Sequence, residues 1–162
     1  NPVSARDYGP LVLNKTFAKD PNSGNARRTT DAFQLATAVL YFSPIQHLGV
    51  VPNNLKEQPE FVIDFLKELP AAWDETRYVG GSPGDYAALA RRSGDRWYVA
   101  VTNGKESRRT LSLEAPFLAG AELTLIHDQP GSSAAATRSI KVGSDGVIEL
   151  TLEAGGGATL FQ

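Results

Sequence analysis

The chain has 162 residues, close to the usual size of one domain, and can bury about 68 to 70% of its extended surface in a core that needs no staples. Sixteen Lys and Arg against 18 Asp and Glu leave a net charge of −2, which removes the electrostatic basis for binding nucleic acid or an anionic membrane. The lack of cysteine excludes disulfides, thiolate metal sites and Cys nucleophiles, and two histidines give no basis for a His-rich zinc site, so carboxylate chemistry stays open.

Taken in chain order, the sequence falls into two unlike halves. Val3 to Tyr8 can form a strand, and Asp7-Tyr8-Gly9-Pro10 follows at its C-terminal end. Thr30 is placed to cap a helix over 32–42 that is apolar on nearly every face and closed by Pro44, so it must be covered on several sides. That stretch is far short of the roughly 20 residues of a membrane span, and no signal peptide is visible. Ile45 to Val51, with His47 inside it, reads as a buried strand. A second helix starts near Pro59, carries Phe61, Val62, Phe65, Leu66 and Leu69 on one stripe, and ends at Pro70. Strand, helix, strand, helix is the grammar of parallel α/β folds.

Twelve of the 15 glycines lie at or after residue 80, and the run Gly80-Gly81-Ser82-Pro83-Gly84 is the best candidate junction between the halves. Beyond it the period switches to two. Strands are predicted at 86–92, 96–101, 110–113, 122–127, 139–142, 147–152 and 158–161, with hairpin turns at Ser93-Gly94-Asp95 and Ser144-Asp145-Gly146. Seven short strands argue for a small antiparallel β-sandwich. The first half has too few elements to close a core of its own, because a parallel pair needs both faces covered and its open edge paired. It reads as the last two βα units of a (β/α)₈ barrel, residues 1–80, followed by a β-sandwich domain, residues 81–162. The start at Asn1-Pro2 and the absence of methionine fit a processed or truncated piece.

Candidate chemistry is sparse. Asp7 and Tyr8 sit where barrel enzymes keep working residues, although Asp7 can equally start a turn before Gly9-Pro10. His47 is either a buried histidine held by a backbone partner or a substrate contact. Trp73-Asp74-Glu75-Thr76-Arg77 reads as an aromatic plug between the halves with an ion pair beside it. Trp97 and Tyr98 point to opposite faces of one strand, so one belongs to the core and the other can offer a sugar-stacking platform. No serine lies in a nucleophile elbow, and Gly155-Gly156-Gly157 precedes a strand rather than a helix, so it is not a phosphate loop.

Ser43-Pro44-Ile45-Gln46-His47, Val62 to Lys67, Trp73-Asp74-Glu75-Thr76-Arg77 and Ala90 to Val99 resemble, in the same order, the C-terminal region of glycoside hydrolase family 97. Asp7-Tyr8-Gly9-Pro10 likewise resembles that family's D-Y-T-P segment, whereas Ser4-Ala5-Arg6 and Gly49-Val50 depart from its pattern. The resemblance implies an exo-acting α-glucosidase or α-galactosidase with an N-terminal β domain, a catalytic barrel and a C-terminal β domain, of which this chain holds the end. It implies that calcium and the catalytic carboxylates are held upstream, that no catalytic or metal residue lies here, and that the chain alone is inactive. It further implies a periplasmic or secreted oligosaccharide-degrading enzyme, the rest of the barrel and the N-terminal domain being this chain's partners. Asp7, Tyr8 and His47 are then the candidates for the rim of the substrate site. The alternative is a non-catalytic carbohydrate-binding module using Trp97 or Tyr98, or a purely structural β domain.

Overall fold

A computed structural model of the chain describes Gly9, Leu13 and residues 27–162 apart from Phe42 and Asn53. Among the described residues three helices come first: α1 (Asp31–Leu40), α2 (Asn54–Glu57) and α3 (Glu60–Glu68). Eight strands follow: β1 (Glu75–Ser82), β2 (Tyr86–Ser93), β3 (Arg96–Asn103), β4 (Arg109–Glu114), β5 (Glu122–Asp128), β6 (Ala135–Lys141), β7 (Val147–Leu152) and β8 (Gly157–Phe161). All pairings are antiparallel. Six strands form one sheet in the order β1-β2-β3-β8-β5-β6, and β4 and β7 form a two-stranded sheet.

The central strand β3 shows how the layers arise from alternation. Val99 and Val101 point into the space between the two sheets and join Leu111, Leu113, Ile148, Leu150 and Leu160 in a sandwich core. Tyr98 and Ala100 point the other way and join Leu35, Val39, Val62 and Phe65 in a second core beneath α1 and α3. The architecture is therefore helices over a six-stranded sheet over a two-stranded sheet, consistent with a small β domain. Thr30 caps α1 as its sequence predicts, its hydroxyl accepting from the Phe33 N–H at 3.1 Å. A helix with nearly all faces apolar is accommodated because the six-stranded sheet lies under one face and the α3 side chains join the same cluster.

Three expectations change. The Gly80-Gly81 run, read as a junction, is the end of an eighth strand, β1, which has no clean alternation because it lies at the sheet edge and shifts register between Tyr78 and Gly80. Segment 45–51 contains a single bridge residue, Gln46, rather than a strand. Ile45 and Val51 are exposed there, and His47, expected inside a buried strand, is exposed as well. A parallel strand needs two covered faces, and none of the described elements supplies them to this segment. The four-residue α2 is too short to leave a period in the sequence. Val3 to Tyr8 lies outside the described residues.

Candidate functional site

A cleft of about 410 Å³ opens between α1 and the β1–β2 hairpin. Its wall on α1 is Phe33, Thr37, Leu40 and Tyr41, spaced i, i+4, i+7, i+8 and so on one face of the helix. Its floor is the hairpin, with Tyr78, Gly80, Gly81, Ala87 and Leu89. Two floor positions are glycines pressed against β2. A Cβ on Gly80 would come within 2.8 Å of the Tyr86 hydroxyl, and Gly81, at φ +115°, would drive one to 2.1 Å from the Tyr86 carbonyl oxygen. Only glycine lets the bulged edge lie this close to β2.

The polar groups around the cleft are largely engaged with the protein itself. Tyr78 donates its hydroxyl to the Gly81 carbonyl, and Thr37 donates to Gln34 O at 2.6 Å. Asp85, the one acid among the described lining residues, is held by Arg109, whose guanidinium also sits 5.1 Å from the Tyr86 ring centroid. Much of the rest is ring surface, Tyr78 being 71% exposed and Tyr41 46%, with the Ser82, Tyr86 and Thr102 side chains also on the lining. No carboxylate pair free to share acid and nucleophile roles faces this space among the described residues.

Two buried polar nodes fix α1 against the sheet. Arg91, in β2, is fully buried and donates through Nε to Val39 O at 2.6 Å, through Nη2 to Leu40 O at 3.0 Å and through Nη1 to the Thr76 hydroxyl at 2.7 Å. It thereby satisfies the last carbonyls of α1 with a cation at the negative end of the helix dipole. Burial lowers the Arg91 pKa, yet a guanidinium stays charged in proteins. At the other end of α1, Asp128 accepts from the Thr30 hydroxyl at 2.5 Å and from the Glu153 and Gly157 N–H groups at 2.9 and 3.0 Å. Burial pushes the Asp128 pKa up, and these three donors pull it back only in part.

The residues singled out by sequence are dispersed. Asp7 and Tyr8 lie outside the described residues. His47 is exposed, and Gly9 lies beside it, a Cβ there falling 4.0 Å from that of His47. Tyr98 is 1% exposed, packed edge-on by Trp73 at 5.3 Å and stacked on Phe161 at 6.0 Å, so it offers no face to a sugar; burial raises its pKa. Trp97 is half-buried against Phe117 at 4.5 Å, with the Arg77 guanidinium 4.8 Å from its ring centroid, so its surroundings are those of a packed ring rather than a platform. Arg77 is steadied by Glu75 at 2.6 Å, and Arg92 also pairs with Glu75 at 3.3 Å; the Arg77 hydrogen bond is the main reason the Glu75 pKa is lowered. The cleft itself and both nodes escaped the sequence reading. Arg91 stood in a recognised motif, but nothing in a lone Arg on an alternating strand announces a helix cap.

The match to known families decides what this arrangement belongs to. Residues 72–161 match the family described as glycosyl-hydrolase 97 C-terminal, oligomerisation. The chain belongs to this family. Among relatives of the family-97 chain, a retaining α-galactosidase of Bacteroides thetaiotaomicron is 34% identical over 167 aligned residues, covering 94% of this chain and 25% of that protein. A probable retaining α-galactosidase of Streptomyces bingchenggensis is 39% identical over 102 residues, 63% of this chain and 15% of that protein. The crystal structure of a β-arabinopyranosidase superposes with a TM-score of 0.91 at 39% identity, over 98% of this chain and 25% of that one. The chain thus spans a quarter or less of the length of these relatives.

Proposed function

We propose that this chain is the C-terminal portion of an exo-acting family-97 α-glycosidase that hydrolyses terminal α-linked sugars, and that its β-sandwich braces the end of the catalytic (β/α)₈ barrel. The observation that carries the reading is the family match over 72–161, joined to a relative that covers 94% of the chain and is named a retaining α-galactosidase, and a second named a probable one. Those names favour a galactoside over a glucoside. In this reading α1, the segment 45–51 and α3 are the last βα units, and 45–51 takes up its strand when the neighbouring barrel strands cover it. Asp7, Tyr8 and His47 then line the rim of the substrate site. Retention requires two carboxyl groups about 5 to 5.5 Å apart, one an acid and the other a nucleophile, and these belong to the upstream barrel.

In this reading calcium is held by residues upstream of this chain. Among the described residues no group of three or more His, Asp or Glu side chains is placed to hold a metal ion, and no step is assigned to calcium on this chain. No helix among the described residues is long and apolar enough to cross a membrane. A periplasmic or secreted location suits an oligosaccharide-degrading enzyme whose C-terminal portion has no cysteine to oxidise. The parent polypeptide is expected to hydrolyse an aryl α-galactoside with the α-anomer released first, followed by proton NMR of the anomeric signal, while the 162-residue chain shows no turnover. Turnover by the isolated chain, or first release of the β-anomer by the parent, would overturn the assignment.

A further inference from the structure

One face of the six-stranded sheet is incompletely covered, and the cleft marks the place. Strands about 4.8 Å apart make six of them roughly 29 Å wide, whereas one helix with its side chains is about 10 Å across, so a helix covers about two strands. α1 lies over the central pair, sharing a core with Tyr98 and Ala100 of β3, and its C-terminus is clamped by Arg91 of β2. The outer faces of β1 and β2 beyond it form an open shelf whose exposed members include Tyr78 and Ala87. On α1 itself, Leu35 and Ala38 lie on the side opposite Phe33 by the 100° step and are fully buried in the cluster that contains Val62, Phe65 and Leu66 of α3. The helix therefore has a partner helix in its own cluster, and its Phe33, Thr37, Leu40 and Tyr41 stripe faces the cleft.

We propose that this shelf is the seat of one more amphipathic helix, supplied by the part of the parent polypeptide that precedes this chain. The inference rests on the family-97 reading above and names the partner of the cleft within it. Three observations select a helix of the same polypeptide over other occupants. The relatives carry at least three-quarters of their length outside the matched region, so chain is available to fill the space. Tyr78, Thr37 and Asp85 already spend polar groups on the protein, which leaves a ligand rich in hydroxyls fewer groups to bond with, while an apolar helix face has ring and aliphatic surface to bury. The exposed members of the shelf, Tyr78 at 71% and Ala87, offer ring and methyl surface of the kind an amphipathic helix buries. The docked helix lies alongside α1 and buries an i, i+3, i+4, i+7 stripe of aliphatic side chains against Tyr78, Leu89 and Phe33.

The lack of cysteine in this chain makes the test direct. Ala87→Cys places a small thiol on the shelf and Ser139→Cys places one on the exposed edge strand β6. Maleimide labelling of each is followed by peptide mass, in the isolated chain and in the parent enzyme. The shelf thiol is expected to react freely in the isolated chain and at least about tenfold more slowly in the parent, as for a site reached only through local opening, with the β6 thiol equally reactive in both. Tyr78→Cys serves as a second shelf position. Equal shelf reactivity in both proteins overturns the proposal. So does protection in the isolated chain that grows with its concentration, which would assign the shelf to a second copy, or protection by millimolar galactose, which would assign it to a sugar. An active parent with an unprotected shelf sinks the docking alone, whereas an inactive parent with a protected shelf sinks the glycosidase reading and leaves the docking.

Discussion

Asp128 shows how much one buried side chain can organise. Its two oxygens gather the hydroxyl that caps α1 and two backbone N–H groups of the β7–β8 connection, and Gly156 has no Cβ because one would lie 1.9 Å from Oδ2. Burial raises the folded-state pKa above the ordinary value of 3.8, so in the window just above that value the native state binds more protons than the unfolded chain. Its contribution to stability is therefore greatest at the acid end and is lost as pH rises through the raised pKa. Asp128→Asn keeps an oxygen for the two N–H groups and an amide that can donate to Thr30, and it does not titrate. The urea midpoint of the native protein is expected to fall relative to that of the Asn variant as pH rises through this window. A gap between the two that stays constant with pH, or moves the other way, would show that the three donors outweigh burial.

At the scale of elements, the sequence was informative where a period or a cap carried the signal and silent where an edge or a missing neighbour set the structure. Thr30 and Pro59 bracket their helices, and Val147 to Leu152 alternates cleanly enough to place β7 to the residue. β1 hid behind two glycines, since an edge strand with a bulge has no alternation to read. The candidate cleft was illegible for a related reason: its walls come from α1 and from residues some 45 positions later, brought together by packing that no local pattern encodes. Gly81 is where the two meet. Its φ of +115° and the 2.1 Å approach of a would-be Cβ to Tyr86 O mean that Gly81→Ala must either strain the backbone or lift β1 from β2. The expected loss is about 2 kcal/mol in denaturant unfolding. Hydrogen exchange should quicken in Tyr78 to Ser82 while β3 stays protected; an unchanged midpoint would mean that the bulge is dispensable.

At the scale of the whole molecule, the central question is whether the helical layer and the β-sandwich are one folding unit or two. The sequence suggests a division near residue 80, yet the structure threads both cores through the same strand, β3, whose alternate residues serve α1 on one side and the two-stranded sheet on the other. Neither side chain set can lose its neighbours without exposing the back of that strand, so the two cores should melt together. The two tryptophans report on them separately. Trp73 packs on Tyr98 and the cluster under α1, whereas Trp97 packs on Phe117 beside the sandwich core. In Trp97→Phe the remaining fluorescence comes from Trp73, and in Trp73→Phe it comes from Trp97. Within each variant, the fluorescence transition in urea is expected to coincide with the far-ultraviolet circular dichroism transition, which follows the strands and helices together. A Trp73 signal that is lost at lower urea than the dichroism would mean that the helices leave the sheet first. The sandwich would then be the only independent unit, and the coupling through β3 would be too weak to hold the barrel end in the absence of its upstream partners.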